Sequence, residues 1–250
     1  MKEHLDIKKI LWKPPHGEVF INGHYNLIDK NFDFETKVHE LVLDNIIKKF
    51  TGKNWNGKLT GEIIAEGSNI GNPVKREIEI KAHLAKSFIK NFDIDSLDAD
   101  VSYNNKIINL RKMSLYLQGT SINVEGLWGK EKKFYVKSNN FYLSPLLELF
   151  GINDVGGYLS MKGTYEEREG KRIVQAKIDY DEPCYKNMKG KNLRAIVNFN
   201  IQGENSHLVI KDIDFLNTHL DSLRISIISD TTIKSFSFLS QGKEIYLYSK

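Results

Sequence analysis

Residues 140–151 read NFYLSPLLELFG, and this stretch decides how the rest of the chain is interpreted. Ser144 is a favourable N-cap residue, Pro145 suits the first helical position, and Gly151 suits the left-handed residue that follows a helix end. The stretch therefore predicts one short helix. Because so short a helix is unstable alone, its apolar side chains must pack against a larger framework.

That framework is visible as an alternation of apolar and polar residues along most of the chain. Ile78, Ile80, Ala82 and Leu84 are one example, with polar or small residues between them. A period of two is typical of strands that have one apolar and one polar side. Turn sequences such as Asn104-Asn105-Lys106 separate these segments. The pattern predicts an all-β chain of short antiparallel strands joined as hairpins.

The helical stretch has an earlier counterpart. Residues 41–59 align without a gap with residues 141–159, an offset of 100 positions. A second short helix is therefore predicted from Asp44 to Phe50. Internal similarity at a fixed period indicates a repeat protein. We predict the tail of a preceding repeat unit at residues 1–37, a first β-repeat unit at residues 38–137 and a second β-repeat unit at residues 138–250.

Composition excludes several classes of function. The net charge is +4, from 36 basic and 32 acidic residues spread along the chain, so no basic block indicates nucleic-acid binding. Cys184 is the only cysteine, which excludes an internal disulfide and a zinc site built from cysteines. No window has the roughly 18 apolar residues of a membrane-spanning helix. We expect no nucleic-acid partner.

No stretch carries the residues of a known catalytic or metal site. The acidic run Asp93–Asp100 invites comparison with a calcium loop, but Asp98 and Asn104 occupy the positions where an EF-hand needs Gly and Glu. Asp98 and Asp100 are better explained as the polar side of a strand. Phosphate-loop and nucleophile-elbow motifs are absent from the sequence as well. We expect no metal, no cofactor and no enzymatic activity.

The repeated stretch resembles the AsmA-like superfamily of Gram-negative envelope proteins, and within it the TamB-like group. The resemblance lies in Leu143–Phe150 followed by Gly157, Leu159, Gly163 and Thr164, with a looser version from Leu43 to Gly67. It implies elongated antiparallel β-sheet repeats curled into an open trough, the β-taco shape. It also implies a periplasmic location in the cell envelope, where an apolar inner wall carries phospholipids between the inner and outer membranes and supports outer-membrane biogenesis.

The same resemblance implies the partners and the extent of the chain. Phospholipid acyl chains are the expected ligands, and an outer-membrane barrel partner is expected only for the full-length family protein. The family's inner-membrane anchor and its C-terminal domain have no counterpart in this sequence, so we expect either an internal segment of a longer protein or a truncated reading frame. The resemblance transfers no individual site residue, because the family's groove is defined by side-chain character.

The alternation of apolar and polar residues nevertheless predicts which side chains line the groove. The predicted lining consists of Tyr25, Phe34, Ile80, Leu84, Val101, Leu115, Val124, Val136, Ile178, Val197 and Phe215. Alternation alone does not separate an apolar wall open to lipid from a core closed on itself. Two alternatives therefore stay open: a closed β-sandwich or barrel that acts as a binding or adhesion module, and an enzyme on a β scaffold.

Overall fold

A computed structural model of the chain describes residues 4–12, 17–44, 48, 56–89, 92–149, 151–186, 188–201, 206–215, 218–228, 232–240 and 243–248. These residues form an all-β structure of antiparallel strands with one short helix. The strand pairing is that of an open antiparallel sheet, which confirms the all-β, antiparallel part of the expected fold class. The described strands fall into two compact units, one formed by Met1–Gly119 with Asn123–Gly129 and the other by Thr120–Ile122 with Lys130–Lys250.

The first unit is an antiparallel meander. Its strands are β1 (His4–Trp12), β2 (Glu18–Asn26), β3 (Phe32–Val42), β4 (Gly57–Ser68), β5 (Glu77–Ile89), β6 (Phe92–Asn104) and β7 (Ile107–Leu117), followed by β8 (Thr120–Trp128), along which the chain passes from one unit to the other. From β1 to β7, each strand pairs with the next one along the chain.

The second unit has the same sequential pairing. Its strands are β9 (Lys132–Tyr142), β10 (Val155–Arg168), β11 (Lys171–Tyr185), β12 (Met188–Lys189), β13 (Asn192–Ile201), β14 (Ser206–Phe215), β15 (Thr218–Ile228), β16 (Thr232–Ser240) and β17 (Lys243–Tyr248). The short strand β12 pairs with the end of β11, which also pairs along most of its length with β13. The remaining strands follow in chain order.

A hairpin turn lies where the sequence Asn104-Asn105-Lys106 predicted one. Asn104 and Ile107 face each other across a loop whose two residues, Asn105 and Lys106, have φ values of 50° and 64°. Positive φ at both positions is the geometry of the type I′ turn, which matches the right-handed twist of the strands that it joins. The strands between turns are long, with 14 residues in β10 and 15 in β11. The expectation of short strands is therefore wrong for these hairpins.

The two aligned stretches share one backbone arrangement. The amide of Leu43 donates to the Gly57 carbonyl at 2.9 Å, and at the position 100 residues later the amide of Leu143 donates to the Gly157 carbonyl at 3.0 Å. Both stretches also contain a bulge, where Glu40 has φ 48° and Asn140 has φ 45°. The sequence similarity therefore corresponds to a shared local structure, while the division into units at residues 37 and 137 remains a prediction.

One of the two predicted helices lies in the described part of the chain. This helix, α1 (Ser144–Leu149), ends before Gly151, whose φ of 80° is the predicted left-handed residue. Its first hydrogen bond runs from the Leu147 amide to the Leu143 carbonyl, so Leu143 occupies the cap position expected for Ser144. The other predicted helix, Asp44–Phe50, falls mostly on residues outside the described ones. The expectation of two short helices is therefore not borne out.

Candidate functional site

On one face of the first unit, apolar side chains continue across successive strands. Directly opposed residues in an antiparallel sheet project from the same face. On this basis one row crosses β2 to β7 through consecutive partners: Gly23, Phe34, Ala65, Ile80, Val101 and Leu110. A parallel row passes through Val38, Gly61, Leu84, Leu97 and Leu115. We call the face that carries both rows the apolar face of the first unit.

The structure places most of the nominated lining residues of this unit together. Phe34, Ile80 and Val101 belong to the first row, and Leu84 and Leu115 belong to the second. The sixth nominated residue, Tyr25, lies two positions from Gly23 in β2 and faces Phe32, so it belongs to the same face. The structure therefore places these six residues, from five strands, on one face.

The position of Val124 follows from its neighbour. Asn123 accepts a hydrogen bond at 2.7 Å from the hydroxyl of Ser114, and Ser114 faces Asp98 on the polar side of β6. Adjacent residues of a strand point to opposite faces. Val124 therefore projects from the apolar face.

The second unit has an apolar face of its own. Its central row consists of Val136, Gly163, Ala176 and Val197, each opposite the next. Ile178 lies two residues from Ala176 and faces Ala195, which is 7% exposed. Val136, Ile178 and Val197 are thus brought to one face, as the alternation predicted. The remaining nominated residue, Phe215, lies in β14, but its side chain is outside the described part of the structure.

The apolar faces are only half-buried. Every nominated lining residue with a described side chain retains part of its surface, and Ile80 is 37% exposed. The buried hydrophobic cluster of the first unit lies towards one end of β2 and β3, where it consists of Val19, Val38, Leu41 and Leu43. Within the first unit, the described strands contact their neighbours in the sheet, and no second layer of that unit packs on its apolar face.

The opposite face of the first unit carries charged cross-strand partners. The Arg111 guanidinium binds the carboxylates of Glu79 at 3.1 Å and Asp100 at 2.6 Å, and it lowers the pKa of Glu79. His83 Nδ1 lies 2.6 Å from the carboxylate of Asp98. Both aspartates belong to the acidic run of the sequence, and their contacts place them on the polar side of β6 as expected.

A charged network borders the apolar face of the second unit. Glu167 faces Lys132 and Arg172 and lies two residues beyond Tyr165, which belongs to the apolar face. The Tyr165 hydroxyl donates to Glu167 Oε2 at 2.6 Å, and Lys132 Nζ lies 3.0 Å from Oε1. These two partners and the charge of Arg172 lower the pKa of Glu167. The Glu167 carboxylate also raises the pKa of the Tyr165 hydroxyl.

This network predicts a pH-dependent stability. Because the pKa of Glu167 is lower in the folded protein than in the unfolded chain, its contacts stabilise the fold above about pH 4.3, and that contribution is lost as the pH falls through the folded pKa. We expect Glu167→Gln to lower stability at neutral pH and to flatten its decline on acidification. Urea unfolding at a series of pH values measures both effects.

Glu166→Gln is the matched control, because Glu166 lies on the opposite face in an exposed pair with Lys133 at 2.7 Å. An equal flattening of the pH dependence in both variants would contradict the role assigned to Glu167.

The described residues contain neither a cluster of metal-ligand side chains nor a membrane-spanning helix. No group of three or more His, Cys, Asp or Glu side chains there is arranged to hold a metal ion. The helix found in that part of the chain is too short to cross a membrane. The half-buried apolar faces are the candidate binding surface, because their side chains stay partly exposed. Comparison of the chain with protein-family models, with curated proteins and with solved structures finds no match.

Proposed function

We propose that this chain is a segment of a bridge-like envelope protein that carries phospholipids between the inner and outer membranes along its apolar faces. One observation carries the proposal: consecutive strands place apolar side chains in continuous rows, and these side chains stay partly exposed. In the proposed arrangement the sheet curls into a trough around the acyl chains. Its polar face, with contacts such as that between Arg111 and Asp100, points to water.

The energetics favour an open apolar wall for this task. Two acyl chains contain roughly thirty methylene groups, and exposing each to water costs about 0.8 kcal/mol, so a complete exposure costs on the order of 25 kcal/mol. A wall that contacts the chains along their path removes most of that cost. Rows such as Phe34, Ala65, Ile80 and Val101 suit sliding chains because they present apolar surface without fixed polar contacts.

A closed binding or adhesion module is the alternative to this proposal. Such a module requires the apolar face to be covered by a second sheet, and it needs no lipid for its stability. The two functions differ in what the purified protein contains. A lipid carrier retains phospholipid after gentle extraction from cells, whereas a module with a sealed core does not.

Native mass spectrometry tests the proposal directly. We expect the chain, expressed in cells and purified without detergent, to carry phospholipid that dissociates at increased collision energy. Lipid extraction followed by chromatography identifies the class. A monodisperse protein that contains no lipid and accepts none from phospholipid vesicles would refute the carrier function and favour the closed module.

A further inference from the structure

Three lysines oppose one another across the polar face of the second unit. Lys137 of β9 faces Lys162 of β10, and Lys162 faces Lys177 of β11. Facing side chains in adjacent strands begin only about 5 Å apart, and like charges in these positions are destabilising. In the described part of the structure none of the three lysines has a carboxylate within ion-pair distance, unlike Lys133, which pairs with Glu166 at 2.7 Å. We call these three residues the lysine row.

A shallow depression of about 410 Å³ lies beside the lysine row. Lys162, Lys177 and Ile196 line one side, and Thr164 and Gln175, which face each other, line the other. The lining includes Gly163, Ala176 and Val197 of the central row, but the rows on both sides of it belong to the polar face, so the depression opens there. Its volume is in the range of small-molecule sites.

The polar groups of the lining suit a phosphate, while Ala176, Ile196 and Val197 add apolar surface. Lysine ammonium groups bind phosphate as point charges, and hydroxyl and amide groups donate hydrogen bonds to its oxygens. Tyr135 and Asn198 extend the row of Thr164 and Gln175 at its two ends, so a row of four neutral polar residues lies beside the row that contains Lys162 and Lys177. We propose that this depression binds a phosphate group carried on a small organic body, either a soluble phosphomonoester or a lipid headgroup.

The unfavourable placement of the lysines supports a binding role. A sheet gains nothing in stability from facing ammonium groups, whereas an anion placed between them converts their repulsion into attraction. Removing one lysine should therefore leave the fold as stable or make it slightly more stable while it weakens binding. A purely structural role predicts the reverse.

Two binding measurements test the site. Isothermal titration uses inorganic phosphate and glycerol 3-phosphate, and sedimentation uses phosphatidylcholine vesicles that contain phosphatidylglycerol. We expect the wild-type protein to bind at least one of the two phosphate carriers, glycerol 3-phosphate or the vesicles. The Lys162→Gln/Lys177→Gln variant should bind about tenfold more weakly or worse, with an unchanged or raised melting temperature. Binding of glycerol 3-phosphate identifies a soluble ligand, and binding of vesicles alone identifies a headgroup.

The matched control is Lys81→Gln/Lys112→Gln, which removes the same charge from the polar face of the first unit, where both lysines face Asp100. Three results would overturn the proposal: an equal loss of binding in this control, no binding to any probe, or binding of inorganic phosphate alone.

The site lies on the face opposite the proposed lipid wall. Its failure would therefore leave the phospholipid content of the purified protein unchanged, and the two proposals fail separately.

Discussion

Replacing Ile80 by glutamate should reduce the phospholipid that co-purifies with the chain by about tenfold or more, while the fold persists. Ile80 lies in the middle of the apolar row between Ala65 and Val101. A carboxylate at this position has to lose its water when an acyl chain covers it, and burying an unpaired charge costs several kcal/mol. In the lipid-free protein the 37% exposure of this position lets the carboxylate stay hydrated.

Ile64→Glu provides a control with the same chemistry. Ile64 is 40% exposed in the neighbouring strand β4, but it faces Glu35 and Lys81 on the polar side. Its replacement should leave the lipid content unchanged. Val197→Glu repeats the test in the second unit, and a complementation assay for envelope integrity should show loss of function for both apolar-face variants. Equal lipid content in the Ile80 and Ile64 variants, with both proteins folded, would count against an acyl-chain wall.

Gly157→Ala should cost on the order of 3 kcal/mol of folding free energy or more. Gly157 has φ +127°, which residues with a Cβ rarely adopt, and its carbonyl accepts the hydrogen bond from Leu143 that both repeats share. A Cβ there would lie 2.8 Å from the carbonyl oxygen of Glu182 and 2.9 Å from that of Asp181. Backbone atoms of a paired strand cannot move aside as a flexible side chain does. Urea denaturation measures the loss.

Gly119→Ala separates backbone strain from steric overlap. Gly119 also has a positive φ, +79°, but a Cβ there meets no atom within 4 Å. Its replacement should cost only about 1 kcal/mol, the conformational penalty alone. If Gly157→Ala were no more destabilising than Gly119→Ala, the close approach between β10 and β11 would not account for the cost of a Cβ at position 157.

The alternation predicted the apolar faces because it is a local property. Each strand assigns its own residues to two sides, and turn sequences such as Asn105-Lys106 indicate where the chain reverses. The grouping of Phe34, Ile80 and Val101 on one face therefore required no knowledge of the tertiary structure. Half-burial of these residues was not predictable, because the same pattern serves a sealed core and an open wall.

The cross-strand register could not be predicted from the sequence, for a different reason. The bulges that set the register contain residues with positive φ that are not glycine, including Glu40, Lys86 and Glu182. Charged residues at such positions give no sequence signal. The lysine row was therefore not predicted. Lys137, Lys162 and Lys177 are distant in sequence, and only the register of three strands brings them together.

Site-specific photo-crosslinking from β4 tests the central claim most directly. Ile63 and Ile64 are adjacent residues of the same type on opposite faces: Ile63 faces Thr36 and Ala82 in rows of the apolar side, and Ile64 faces Glu35 and Lys81. A photoreactive amino acid at position 63 should form covalent adducts with phospholipid in cells, and the same group at position 64 should not. Adducts of equal yield at both positions, or none at position 63 in a folded protein, would contradict the account.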